Sequence, residues 1–216
     1  RVLDVGCGAG VLVLALARAG LPAPRGVDPQ ATTRGFPGGG GIEAAGIEHA
    51  AGPFDLVTFH HSLEHVADPR AQLVRARALL APGGRIVVRC PTTSGAAFRR
   101  YGDRWVALDA PRHLVIPSRA GMVHLARRAG LRVESVRDDA TAMQFWASEQ
   151  YRRDMALMDP RSRMRAPWRP SRDWARLLGW WRATRRLNAS GDGDQAAWVL
   201  APAGEDGTPG GDPVRA

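Results

Sequence analysis

The stretch Val2-Leu3-Asp4-Val5-Gly6-Cys7-Gly8-Ala9-Gly10 joins an apolar run to a carboxylate and three alternating glycines. Glycines in such a turn let the backbone approach a ligand where a Cβ would clash. A helix starting just after them offers amide groups and a positive dipole end to a carboxylate or phosphate. The spacing is G-x-G-x-G, and Val11 stands where the dinucleotide pattern G-x-G-x-x-G needs its last glycine. Asp4, two positions before the first glycine, suits a cationic ligand and would repel a pyrophosphate. Asp28 ends a second apolar run, 18 residues after Gly10. A carboxylate there can accept hydrogen bonds from both ribose hydroxyls of an adenosyl group, although with Pro29 beside it an ordinary strand-end turn is the alternative.

A second group of candidates is His60-His61-Ser62-Leu63-Glu64-His65. It follows an apolar run, at the end of the strand where open α/β sheets bind ligands. His60 and His61 are read as contacts to a bound cofactor, and His61 also as a general base near neutral pH. Glu64 and His65 are read as capping the next helix, with a cofactor contact or general base as the alternative. Arg112 and His113 form a third group: Arg112 as an anion holder or a partner of Asp109 or Asp103, His113 as a second base. Cys7 and Cys90 make no disulfide framework, and no Cys/His group stands at ligand spacing, so no metal site is expected.

The elements that must position these residues read as alternating strands and helices. Strands are expected over 1–5, 23–27, 55–59, 85–90, 131–136 and 195–201, with at most a short one around Ile42 in the glycine-rich stretch 31–53. Helices are expected from Val11 to Ala19, closed by Gly20, from Asp68-Pro69 to Leu80, and from Ser118 to Ala129 before Gly130. Such alternation gives a mostly parallel sheet with helices on both faces. Residues 141–187 read as an Arg/Trp-rich helical insertion. Within it Trp174, Leu177, Leu178 and Trp181 fall at i, i+3, i+4, i+7, the spacing of a packed face. The division expected is a core over 1–140, an insertion or lid over 141–190, a final core strand over 191–201, and a Gly/Pro/Asp-rich disordered tail over 202–216.

The motifs Val2 to Gly10, Asp28, Phe54-Asp55-Leu56-Val57, His61 to Val66 with Asp68-Pro69, Leu79 to Gly84 and Ile86-Val87-Val88 occur in the order and approximate spacing of the class I S-adenosylmethionine (SAM)-dependent methyltransferases, which residues 1 to about 140 resemble. Trp105 with Pro111-Arg112-His113-Leu114 resembles a W…PRHL stretch of one subgroup. The resemblance implies a Rossmann-like sheet of seven strands with the last antiparallel. It implies SAM as cofactor, its amino-acid end near Gly6, Cys7 and Gly8, its ribose on Asp28, and His60 to Ser62 beside its reactive centre. Asp4 and Gly10 complete the cofactor-binding set, and His61 and His113 are the catalytic candidates. The chain departs from the family in its glycine-rich third-strand region and in lacking a helical cap before the first strand. It opens on strand residues without an initiator Met, which reads as a fragment or a misplaced start.

All 30 basic residues are arginine, and net charge is +9. Between Tyr151 and Arg186 eleven arginines face three aspartates, so most of the excess is local. Arginine-rich helix faces in contact with water account for it, with an anionic partner as the sharper alternative. Aromatics among the arginines, from Phe145 and Trp146 through Tyr151 and Trp168 to Trp180, could stack bases, but core or lid packing explains them better. No Asn/Asp-Pro-Pro-aromatic motif appears, so nucleic acid is not the expected acceptor. No apolar run approaches the ~20 residues of a membrane span, and the location expected is the cytoplasm. The function expected is methyl transfer from SAM to a small-molecule or glycan-type acceptor, at oxygen rather than carbon. A catalytically silent SAM-fold module and a nucleic-acid methyltransferase are the alternatives.

Overall fold

A computed structural model describes residues 1–37, 39–165 and 174–204. Trp168 and the tail from residue 205 onward lie outside the described residues. Among the described residues eight strands form one sheet: β1 (Val2–Val5), β2 (Arg25–Val27), β3 (Arg34–Gly35), β4 (Gly41–Glu43), β5 (Phe54–His60), β6 (Leu80–Pro91), β7 (Leu131–Asp138) and β8 (Gln195–Pro202). Their order is β3-β4-β2-β1-β5-β6-β8-β7. The pairs β2/β4, β1/β2, β1/β5 and β5/β6 are parallel, and β8 runs antiparallel to both its neighbours. The Rossmann-like sheet with an antiparallel last strand is the fold expected.

One strand is added to the seven. The edge strand β3 pairs antiparallel with β4, with Leu-free, glycine-rich sequence between them, and Phe36 N–H donates to the Gly40 carbonyl at 3.1 Å. The glycine run that reads as a loop is thus a tight edge hairpin. Its glycines are required by close passage: a Cβ on Gly40, at φ +80°, would stand 2.3 Å from the Pro24 carbonyl oxygen. Strand β2 starts at Arg25 rather than Ala23, consistent with Pro22 and Pro24 withholding amide donors.

Among the described residues six α-helices join the strands: α1 (Val11–Arg18), α2 (Pro69–Ala78), α3 (Ala96–Tyr101), α4 (Arg119–Arg128), α5 (Met143–Tyr151) and α6 (Trp174–Ala189). Pro69 begins α2, and the Asp68 carboxylate accepts from Ala71 N–H at 2.9 Å. Ser118 caps α4 by accepting from Gly121 N–H at 3.0 Å. The apolar faces of α2 and α4 close over the sheet, placing Leu73, Ala76, Met122 and Ala126 among Leu3, Phe54, Val57, Ile86, Trp198 and Leu200.

A second cluster lies beyond the carboxyl ends of the strands. Ala97, Tyr101, Trp105 and Phe145 are buried there, with Phe98, Ile116, Trp180 and Leu187 packed against them. The face that α6 packs differs from the one its spacing suggests. Trp180, Ala183 and Leu187 face the cluster, whereas Trp174, Leu178 and Trp181 are 68%, 46% and 50% exposed. Aromatics stand on both sides of this helix, so a 3.6-residue period leaves its rotation undecided; contact with Trp105 and Phe98 decides it. No helix among the described residues is long and apolar enough to cross a membrane.

Candidate active site

The glycine bend sits at the carboxyl ends of β1 and β2. Gly6 and Cys7 donate their amides to the Val27 carbonyl at 2.8 and 3.2 Å, which ties the turn to the neighbouring strand. Each glycine has its own reason. A Cβ on Gly6, at φ +71°, would stand 2.4 Å from the Ser62 Cβ, and one on Gly10 would stand 2.0 Å from Ile42 Cδ1. At Gly8, φ +51°, a Cβ would meet no atom within 4 Å and would project into open space.

That space is a cleft of about 420 Å³ lined by Gly8, Ala9, Asp28, Thr32, Arg34 and Ile42 among others. Asp28 faces the bend. Its Oδ2 accepts from Gly8 N–H at 2.9 Å and its Oδ1 from Gln30 N–H at 2.7 Å. Each carboxylate oxygen carries two lone-pair sites, so one on each stays open to a hydroxyl donor. Arg34 crosses the cleft, donating to the Ala9 carbonyl with its guanidinium 5.5 Å from the Phe36 ring centre.

Asp4 is buried beneath the bend, where Thr58 Oγ1 donates to it at 2.7 Å. Burial pushes its carboxyl up to about 6 against the pull of that hydrogen bond, and the Asp28 charge adds to the rise. The Cys7 thiol is pushed up to about 12, first by burial and then by Asp4 and Asp28. It packs on Gly26, whose missing Cβ would lie 2.6 Å from Sγ, so Cys7 is no nucleophile and its side chain points at β2.

His60 ends β5, and its ring stands 5.1 Å from that of His61, edge to face. Desolvation, then the charges of Arg89 and His61, hold the His60 imidazole below its ordinary value. His61 adopts φ +54°, a region in which a residue other than glycine is strained by about 1–3 kcal/mol. Its amide donates to the Arg89 carbonyl at 2.8 Å, its Nδ1 lies 3.3 Å from Glu64 Oε1, and its Nε2 meets the Arg89 guanidinium. Arg89 is paired in turn with Asp139.

Glu64 and His65 do not cap α2; Asp68 does. They belong to a single 3-10 turn, Leu63–His65, clamped from above by the PRHL loop. Leu114 and Val115 donate their amides to the Glu64 carbonyl at 2.7 and 3.2 Å, and His65 Nδ1 bonds the Arg112 carbonyl at 2.9 Å. Competition for the same turn by a segment 47 or more residues away overrides local capping. His113 is fixed likewise, Nδ1 to the Ala107 carbonyl at 2.7 Å with Nε2 3.8 Å from Asp109. Arg112 pairs with Asp109 and is exposed.

His61 and His113, the two base candidates, thus meet at one carboxylate. A Glu64 oxygen and ring nitrogens of His65 and His113 all lie within 4.8 Å of one another. Each residue offers one ligand atom to this group, which could hold a metal ion. Sequence spacing gave no such set because its members come from two distant segments. Also missed were Thr58 under Asp4, Arg34 and Arg89, whose partners lie on other elements.

A family model described as a methyltransferase domain matches residues 1–136. The chain belongs to this family. Among relatives of this methyltransferase-domain chain, the ubiquinone biosynthesis O-methyltransferase of Bordetella avium is 33% identical over 157 residues, covering 63% of this chain and 64% of that one. The enzyme of the same name from Cronobacter sakazakii is 38% identical over 97 residues, 40% of each chain. The chain therefore spans less than two thirds of these relatives. Among solved structures, the [4+2]-cyclase SpnF superposes with a TM-score of 0.59 at 21% identity, over 94% of this chain and 75% of that one. The mycolic acid cyclopropane synthase CmaA1, complexed with S-adenosylhomocysteine, gives 0.57 at 17%, over 92% and 76%. At such identities these likenesses carry the fold alone.

Proposed function

We propose that this chain is a SAM-dependent O-methyltransferase of a small-molecule acceptor, working in the cytoplasm. The observation that carries the reading is the Asp28 carboxylate held on the Gly8 amide at the mouth of an open cleft. The donor set fits an adenosyl sulfonium: acceptor oxygens for ribose hydroxyls at Asp28, a glycine cradle at Gly6, Cys7, Gly8 and Gly10, and no phosphate-directed carboxylate-free turn. Asp4 supports the bend from below. His60 ends β5 and His61 follows it, at the same carboxyl edge of the sheet as the bend. The named activity of the Bordetella and Cronobacter relatives supports oxygen as the acceptor atom.

SAM, when bound, supplies an electrophilic methyl on a good leaving group. The protein then has to align an acceptor, which is worth up to ~7–11 kcal/mol, and to take a hydroxyl proton. His61 and His113 are the groups able to take it. Residues 1–140 and 191–201 form the SAM-binding core, and α5 and α6, within 141–190, form a lid over the acceptor side.

Isothermal calorimetry of the chain with SAM tests the reading. Binding is expected, and Asp28→Ala weakens it about 10- to 100-fold by removing charge-assisted hydrogen bonds. Mass spectrometry with a panel of phenols and aliphatic alcohols then reads a gain of one methyl. Absence of SAM binding, or binding indifferent to Asp28→Ala, sinks the reading.

A further inference from the structure

A cavity apart from the glycine bend lies between α5 and α6. Its volume is about 140 Å³, room for roughly four or five waters at ~30 Å³ each. Three arginines line it, each from a different segment: Arg153 just past α5, Arg163 on the loop that follows, and Arg176 on α6. Trp146 and Trp180 supply its aromatic lining.

The lining does not balance this charge. Glu149 is the one acid there, and it is buried and already engaged. The Tyr101 hydroxyl donates to it at 3.0 Å, and Arg152 and Arg100 stand 3.4 and 3.6 Å from it. The neighbouring Arg104, Arg152 and Arg161 each have an acid, Asp154, Glu149 and Asp159. Among the described residues Arg153, Arg163 and Arg176 pair with none. Like charges around one void repel, and contact with water gives no reason to gather them from three segments. The cations are also held in place. The fully buried Ser162 donates its hydroxyl to Gln150 Oε1 at 3.1 Å, which ties the loop bearing Arg163 to α5. The Arg176 guanidinium stands 5.1 Å from the Trp180 ring centre, one turn along the same helix.

We propose that this cavity is a binding site for a phosphate monoester, separate from the cofactor cleft. A dianion with three terminal oxygens matches three guanidiniums, which grip such oxygens through paired N–H groups. A single carboxylate leaves one of them unmatched. The tryptophans take the organic part of the ester, an aromatic ring above all. Bound, the phosphate joins α5, the loop after it and α6 through one ligand, and so stabilises the folded chain by mass action. The site depends on neither SAM nor methyl transfer.

Isothermal calorimetry of the whole chain with phenyl phosphate at pH 8, where the phosphate is a dianion, tests this. Saturable binding at one site is expected, with benzenesulfonate, a monoanion on the same ring, at least about 10-fold weaker. Arg163→Gln weakens phenyl phosphate about 10-fold or more by removing a charge-assisted contact, and Arg153→Gln combined with Arg176→Gln abolishes binding. Trp146→Leu costs phenyl phosphate about 3- to 10-fold and leaves inorganic phosphate unchanged. Arg182→Gln, on the same helix but outside the lining, changes nothing. Melting curves without ligand show which variants are folded; should Arg163→Gln unfold, Arg153→Gln, at an exposed position, carries the same expectation. No binding of phenyl phosphate, equal binding of benzenesulfonate, wild-type affinity in Arg163→Gln, or an equal loss in Arg182→Gln overturns the proposal, the last by marking a diffuse positive field. So does capture of the chain by phosphatidic acid vesicles without binding of phenyl phosphate, which would move the contact to a lipid surface. SAM titrated in parallel separates the two readings: a chain that binds phenyl phosphate but no SAM sinks the methyltransferase reading and leaves this site standing, and the reverse result sinks this site alone.

Discussion

Gly8 and Gly10 stand two residues apart in the same left-handed conformation, yet their surroundings differ. At Gly8 a methyl group would enter the cleft and touch no protein atom, whereas at Gly10 it would be driven into Ile42. Gly8→Ala is therefore expected to lose about 1–2 kcal/mol from backbone strain alone, lowering the melting temperature by a few degrees while blocking SAM. Gly10→Ala adds overpacking against the β4 side chain to the same strain and should unfold the bend. Differential scanning fluorimetry and calorimetry on both variants separate the two roles. Equal SAM affinity in Gly8→Ala and wild type would mean that the ligand does not lie over the bend.

Strand β8 carries a different kind of information, because it joins the sheet core to the second cluster. Just before it, buried Asp194 accepts a 2.7 Å hydrogen bond from the Trp105 indole. Burial pushes this carboxyl up from 3.8 to about 6, the indole bond lowers it, and Asp138 and Asp139 raise it further. The folded state thus binds the proton more tightly than the unfolded chain, so stability falls as pH rises from about 4 to about 6 and the penalty is complete at pH 7. Asn at 194 keeps an acceptor for Trp105 and offers an amide to the neighbouring carboxylates. Asp194→Asn should raise stability at pH 8 by about 1–3 kcal/mol and leave it unchanged at pH 4. Chemical denaturation at the two pH values checks this; a variant less stable at pH 8 would show that the indole needs the charge. At this same scale the sequence is most informative. Apolar runs and caps such as Asp68 and Ser118 identify β1, β5, β6, α2 and α4, because each is decided by neighbours in the chain. The Glu64–His65 turn, the rotation of α6 and the hairpin of β3 with β4 are decided by partners tens of residues away. Local pattern therefore points elsewhere for all three. The residues of the glycine bend and Asp28 were legible for the opposite reason: each is tied to its own strand end.

The two hydrophobic clusters divide the molecule by task. The sheet core holds β1, β2 and β5 in place and with them the glycine bend, Asp28 and the loop bearing His61. The second cluster holds α3, α5, α6 and the residues leading to the PRHL loop, and Trp180 packs against it from α6. The arginine excess follows the same division, since α6 carries Arg176, Arg182, Arg185 and Arg186 and no acid. Several of its neighbours are already paired, as in Arg152 with Glu149 and Arg104 with Asp154, which fits a face in contact with water better than a phosphate track. If α5 and α6 form the lid, loosening their cluster should harm acceptor binding and spare SAM. Trp180→Ala is half-buried, so about 1–3 kcal/mol of stability is expected to go, less than for a fully buried Trp. The acceptor KM should rise about tenfold or more, equivalent to at least ~1.4 kcal/mol, while the calorimetric affinity for SAM stays at the wild-type value. A parallel fall in SAM affinity would show that the clusters act as one body, and that the acceptor side is not a separately built layer on the methyltransferase sheet.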